Sequence, residues 1–167
     1  MKILSTNLPK YIHSVDNKLY GGRAISCPYR LYTMRKNGIN QIIDLRNAFS
    51  VTKYMEKLFC KMLGIRYINK NYPHRLNHLP DEEFFKEICN IINGNTETTY
   101  MHCQYGKRRT SIAAAYYEKN NTDKSPQNIL ADLISHGYSD IKPTSKKGKK
   151  YQKILSEFID TYLPESK

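Results

Sequence analysis

Short apolar runs of strand length alternate with amphipathic helical segments along most of this chain, and that alternation is the strongest constraint on its fold. Residues 29–36 read as a short helix closed by Asn37-Gly38, and residues 40–45 follow as a strand carrying Ile42, Ile43 and Leu45. Residues 51–63 read as a helix stopped at Gly64, and residues 65–68 as a second strand. After a polar segment with Pro73, His74, Arg75 and His78, Pro80-Asp81-Glu82-Glu83 supplies the acidic first turn of another helix. Its Phe84, Phe85, Ile88, Ile91 and Ile92 recur at helical spacing, and it ends near Asn93-Gly94. Residues 98–102 form a β-prone run leading directly into Cys103, and the Ala-rich residues 110–119 are helical again. Ser125-Pro126 opens a helix that ends near His136-Gly137, and Tyr151, Ile154, Leu155, Phe158, Ile159 and Tyr162 mark a last amphipathic helix. Repeated strand–helix units predict an α/β fold with a mainly parallel central sheet flanked by helices. Such sheets bind ligands beyond the carboxyl ends of their strands, and Cys103 stands at one such end.

A chain of 167 residues with 40% apolar content has the size of one domain around one ordinary core. The expectation is a single domain over residues 1–167, with a basic turn and an amphipathic helix at 144–163. No run approaches the roughly 20 apolar residues that a membrane helix needs. The first residues lack a continuous apolar stretch and a small-residue cleavage site, so a cytoplasmic protein without a transmembrane segment is expected. Cys27, Cys60, Cys89 and Cys103 are too widely spread for a zinc site or a disulfide framework. Neither metal nor cofactor is expected, and Cys27, Cys60 and Cys89 read as small buried hydrophobes. The net charge of +12 attracts anionic partners, among them nucleic acid, phosphoinositide head groups and highly phosphorylated small molecules. Lys146, Lys147, Lys149 and Lys150 around Gly148 read as a solvated basic turn.

Residues 102–110 read His102-Cys103-Gln104-Tyr105-Gly106-Lys107-Arg108-Arg109-Thr110, with five residues separating a cysteine from an arginine between strand and helix. A loop of that length can curl its backbone N–H groups from Gln104 to Arg109 around a phosphate, and Gly106 permits a turn most residues resist. The following helix aims its positive end at the same point, a field that also favours the thiolate of Cys103, the nucleophilic form. The planar fork of Arg109 suits two equatorial phosphoryl oxygens, and a lysine there would not do the same. The Thr110 hydroxyl is placed to stabilise the cysteine sulfur as it leaves a thiophosphate. His102 is assigned to orienting the loop by hydrogen bonding to its backbone, since an attacking thiolate needs no base.

At these residues the sequence resembles the cysteine-dependent protein tyrosine and dual-specificity phosphatase superfamily, whose signature of His-Cys, five residues and Arg-Ser/Thr is matched by His102, Cys103, Arg109 and Thr110. Gly106-Lys107-Arg108-Arg109-Thr110 is most similar to the loop of the compact atypical dual-specificity phosphatases of plants, fungi and bacteria. The resemblance extends to Leu19-Tyr20-Gly21-Gly22-Arg23-Ala24, to Gly38-Ile39 through Asp44-Leu45-Arg46, and to Leu79-Pro80-Asp81, and covers about residues 18–138. It implies a metal-independent phosphatase working through a cysteinyl-phosphate intermediate. Ser111 departs from the family's glycine after the Arg-Thr pair.

The family's general acid, an aspartate on a loop before the cysteine, has no match in residues 68–79. Asp81 is the nearest carboxylate, and its Pro-Asp-Glu-Glu setting equally suits a helix cap. His74 and His78 are further candidates, and a phosphate leaving group would need no acid at all. Lys107 and Arg108, joined by Arg66, Lys70, His74 and Arg75 at a strand end, add positive charge. The substrates implied are phosphorylated proteins, phosphoinositides or inositol pyrophosphates, with RNA 5′-triphosphate cleavage in related families. A catalytically idle phosphate-binding module is the alternative from another functional class.

Overall fold

A computed structural model of the chain describes residues 13–47, 50–73, 78–140, 142 and 144–164. The strands are β1 (His13–Ser14), β2 (Leu19–Arg23), β3 (Ile39–Asp44), β4 (Arg66–Asn69) and β5 (Thr98–Cys103). They form one sheet in the order β1-β2-β5-β3-β4, parallel throughout except for the antiparallel β1 at its edge. The helices are α1 (Pro28–Lys36), α2 (Val51–Met62), α3 (Glu82–Asn93), α4 (Arg108–Asn121), α5 (Pro126–Leu133) and α6 (Lys146–Tyr162), with a π-helical turn at Ile134–Tyr138 between α5 and α6. The expected α/β architecture is present. β2 carries two glycines, which depress strand propensity, and it pairs along its whole length with β5.

Two apolar cores lie against the sheet. The larger gathers Phe85, Ile88 and Ile92 of α3, Ile112 and Tyr116 of α4, and Phe158 and Tyr162 of α6. The smaller joins Leu31 and Met34 of α1 and Cys60 of α2 to Ile39, Ile42 and Tyr100 of the strands. In the larger core Phe85 stacks on Tyr116 with ring centroids 4.9 Å apart, and Phe158 and Tyr162 meet Phe85 edge-on at 6.5 and 5.8 Å. Each such ring contributes about 1.5–3 kcal/mol by leaving water, so α6 is firmly docked.

The lysine run is helical where a turn was expected. Ser145 caps α6 by accepting from the N–H of Gly148 at 2.9 Å, and the chain enters its first turn at Lys146. A Cβ on Gly148 would lie 1.9 Å from the carbonyl oxygen of Lys142, so glycine is needed there for space. Cys27 also differs from expectation: it is exposed, at the position before α1, while Cys60 and Cys89 are buried.

Candidate active site

Cys103 is the last residue of the central strand β5, held from both sides at the carboxyl edge of the sheet. The Ala24 N–H donates to the Cys103 carbonyl at 2.9 Å, and the Leu45 N–H donates to the His102 carbonyl at 2.8 Å. The chain then turns through Gly106 with φ +68° and enters α4 at Arg108. A Cβ on Gly106 would lie 2.2 Å from the carbonyl carbon of Gly22 and 2.3 Å from the Arg23 nitrogen, so both conformation and space require glycine. The first amides of a helix have no intrahelical acceptor, which leaves those of Arg108, Arg109 and Thr110 facing the mouth of the loop.

Cys103, Gln104, Tyr105, Lys107, Arg108, Arg109 and Tyr151 line one cavity of about 240 Å³. The structure thus brings the nucleophile candidate and the arginine of the signature into one site. Arg109 is half-buried; its Nη1 reaches the Leu45 carbonyl at 3.5 Å, and its guanidinium lies 5.7 Å from the ring centre of Tyr72. The Nε atoms of Arg108 and Arg109 and the Thr110 hydroxyl are buried with no hydrogen-bond partner among the described residues. Buried donors in that state are poised for an anion. Lys107 and Arg108 both engage Asp140, at 2.7 and 3.1 Å. The Lys107 hydrogen bond, with the charges of Arg108 and Lys107, holds the Asp140 carboxyl below its usual range against the effect of burial.

Tyr151 gave no signal in the sequence beyond its place in an apolar stripe. The guanidinium of Arg108 stacks over its ring at 4.4 Å, so α6 supplies part of the cavity wall. Ser111, the departure from the family glycine, is accommodated across the fold. A Cβ on Gly137 would lie 2.8 Å from the Ser111 Cβ, so Ser111 fits because the π-helical turn carries glycine opposite it.

Behind the loop lies a buried polar cluster that sequence reading did not assemble. Arg46 Nη2 pairs with Asp44 Oδ2 at 2.8 Å and with Glu56, and Tyr67 donates to Asp44. His102 turns its ring toward these carboxylates, with Nε2 3.0 Å from Glu56 Oε1 and Nδ1 3.8 Å from Asp44 Oδ1, rather than toward the loop backbone as expected. Burial opposes the charge of Asp44, but the Arg46 hydrogen bond, with His102, Tyr67 and the Arg46 charge, outweighs it and holds the carboxyl below its usual range. Asp44, Glu56 and His102 form a donor set close enough for a metal ion, but Arg46 already bridges the two carboxylates and supplies the positive charge.

The remaining candidates fall elsewhere. Asp81 caps α3, accepting from the Phe84 N–H at 3.1 Å, and does not line the cavity. Neither does the exposed His78. Arg66 opens β4 and so sits at the amino end, opposite Cys103, while Lys70 just beyond its carboxyl end pairs with Glu87 at 2.7 Å. His74 and Arg75 lie outside the described residues.

No protein-family model and no curated protein sequence matches the chain. Solved structures do. The core catalytic domain of the PP-IP phosphatase SIW14 from S. cerevisiae, in complex with citrate, superposes with a TM-score of 0.70 at 14% identity, over 93% of this chain and 86% of that one. The fold is that of the cysteine-dependent phosphatases. Kinase associated phosphatase, with its catalytic cysteine changed to serine, gives a TM-score of 0.66 at 18% identity over 98% of this chain and all of that one. TpbA of P. aeruginosa gives 0.63 at 14% identity over 91% and 92%. Within this phosphatase fold, the loop at 103–109 stands between the central strand and the helix that follows it.

Proposed function

We propose that this chain is a cysteine-dependent phosphatase that hydrolyses a polyanionic phosphate substrate, preferentially at a phosphoanhydride, without a metal. The observation that carries this reading is one cavity lined by both Cys103 and Arg109, where the Nε atoms of Arg108 and Arg109 find no partner among the described residues.

The Cys103 thiolate attacks phosphorus, the bond to the leaving oxygen breaks, and a cysteinyl phosphate forms. Arg109 and the first amides of α4 hold the equatorial oxygens as charge spreads over them. Water then attacks phosphorus, the sulfur leaves as thiolate, and the Thr110 hydroxyl donates to it. Inorganic phosphate is released.

The choice of an anhydride rests on the cavity lining, where among the described residues no carboxylate stands free to protonate a poor leaving group; Asp140, just beyond it, is taken up by Lys107 and Arg108. A phosphate leaving group is weakly basic and departs without a proton. Lys107 and Arg108 provide charge for the rest of a polyanion, and an inositol pyrophosphate is the substrate class favoured, in line with the PP-IP phosphatase among the similar structures. Phosphoinositides, phosphoprotein and RNA 5′-triphosphate are the competing substrates to be ranked. In this reading residues 1–167 act as one catalytic unit, because α6 completes the cavity with Tyr151, and the thiol chemistry suits a reducing cytoplasm.

The test is turnover of p-nitrophenyl phosphate and of an inositol pyrophosphate with chelator present, for wild type, Cys103→Ser and Arg109→Lys. Activity that survives chelation, is abolished in Cys103→Ser and falls roughly 10²–10³-fold in Arg109→Lys supports the mechanism. Retained phosphate binding with no turnover of either substrate would identify a binding module instead.

A further inference from the structure

Helix α2 is built inside out. Its buried positions are Glu56 and Cys60, while Val51, Met55, Leu58 and Met62 recur at intervals of three and four residues on the opposite, solvent side. Val51 is 75% exposed and Met62 71%. Beside it, α1 buries Leu31 and Met34 and turns Tyr29 and Tyr32 outward. The outer faces meet in a shallow depression lined by Tyr29, Tyr32, Phe59, Met62 and Leu63. With Tyr54, seven of the nine large apolar side chains exposed among the described residues lie on these two helices. Exposed large apolar side chains gathered on one face, rather than scattered singly, mark an interaction surface.

The charges around this face are of one sign. Between residues 28 and 63 the only acids are Asp44 and Glu56, both buried and both held by Arg46. Arg30, Arg35, Lys36, Lys57 and Lys61 are exposed on the same two helices, and the Lys36 ammonium sits over the Tyr32 ring at 5.6 Å. Two copies of the chain meeting through this face would bring these like charges together. The apolar groups are spread over the outer faces of two adjacent helices, with no deep slot between them for a third. Tyrosines whose rings are apolar and hydroxyls polar suit the boundary between acyl chains and head groups.

We propose that the α1–α2 face docks on an anionic lipid bilayer, inserting Val51, Met55, Leu58 and Met62 at the interface while the lysines and arginines meet acidic head groups. This association is peripheral. It is separate from the Cys103 cavity and does not depend on the phosphatase reading.

The net charge of +12 would draw any such protein to anionic vesicles, so the decisive variant, Leu58→Ser/Met62→Ser, leaves charge unchanged. The full chain, its Leu58→Ser/Met62→Ser double variant and a Lys57→Gln/Lys61→Gln variant would be co-sedimented with vesicles of equal parts phosphatidylcholine and phosphatidylserine, and with phosphatidylcholine alone. Circular dichroism confirms that each variant is folded. The expected result is wild-type binding to the mixed vesicles only, weakened about tenfold or more by either pair of substitutions. Unchanged binding by Leu58→Ser/Met62→Ser would reduce the effect to charge attraction and overturn the proposal. So would no wild-type binding, or wild-type dimerisation in sedimentation velocity that the serine variant abolishes.

Discussion

His102 and Glu56 touch directly behind the strand end that carries Cys103: Nε2 of one stands 3.0 Å from Oε1 of the other, and neither side chain is reached by solvent. The same carboxylate pairs with Arg46 and lies 3.4 Å from the Ile25 nitrogen, so α2, β3, β5 and the segment after β2 are tied together at one acid. Removing one member of such a buried cluster leaves its partners uncompensated, at a cost of about 3–5 kcal/mol. Glu56→Ala is expected to lower the unfolding free energy from urea titration by that amount, and Glu56→Gln, which keeps the shape and part of the bonding, by less. Equal, near-zero losses in both would show that the cluster is not structural.

The difference between what was legible and what was not follows contact range. The strand before Cys103, the helices flanking it and the nonapeptide loop are written in local periodicity and spacing, and the structure has them where the sequence puts them. Glu56 gave no signal in the sequence, because its helix carries its apolar stripe outward and buries the acid instead. The resemblance marked residues 19–24 without making them a strand, because the two glycines of β2 depress strand propensity. Arg66 was grouped with Lys70 at the strand end facing the site, although in a parallel sheet a residue that opens its strand stands at the amino end. Tyr151 reaches the cavity through the docking of Phe158 and Tyr162 on Phe85, which no local pattern states.

Ser111 and Gly137 should behave as a coupled pair. Gly137→Ala places a Cβ 2.8 Å from that of Ser111, inside a buried contact, and should destabilise the fold. Ser111→Gly removes the opposing atoms and should restore stability in the double variant. A coupling of about 1–3 kcal/mol in a double-mutant cycle of urea midpoints is expected, and additive effects would refute the contact.

Asp44 links stability to pH. Its folded carboxyl is held below the ordinary aspartate value of about 3.9, so its contribution is fully present above that value and is lost as pH falls through the folded one. Wild type should therefore lose stability steeply in acid. Asp44→Asn should be less stable at neutral pH, with a flatter acid limb in urea titrations at successive pH values.

Asp140 competes with substrate. Its carboxyl stays ionised through the neutral range and takes up Lys107 and Arg108 at the cavity wall. Asp140→Asn should lower KM for a polyphosphorylated substrate by up to roughly fivefold, the ~1 kcal/mol limit of an exposed pair, and leave KM for p-nitrophenyl phosphate almost unchanged. An equal change for both substrates would mean that Asp140 shapes the loop instead of screening its charge.

The four thiols should separate cleanly under alkylation. Burial pushes Cys60 up to about 12, helped by the charges of Glu56 and Asp44, and pushes Cys89 up to about 11. At neutral pH neither carries appreciable thiolate, the reactive form, and both are shielded by core side chains. Cys27 is exposed, and Cys103 opens on the cavity. Iodoacetamide on the native protein, mapped by peptide mass spectrometry, should modify Cys27 and Cys103 and spare the other two until denaturant is added. Inorganic phosphate should protect Cys103 and leave Cys27 as reactive as before, because only Cys103 shares its cavity with Arg109. Protection of both, or of neither, would break the link between the thiol and the anion site.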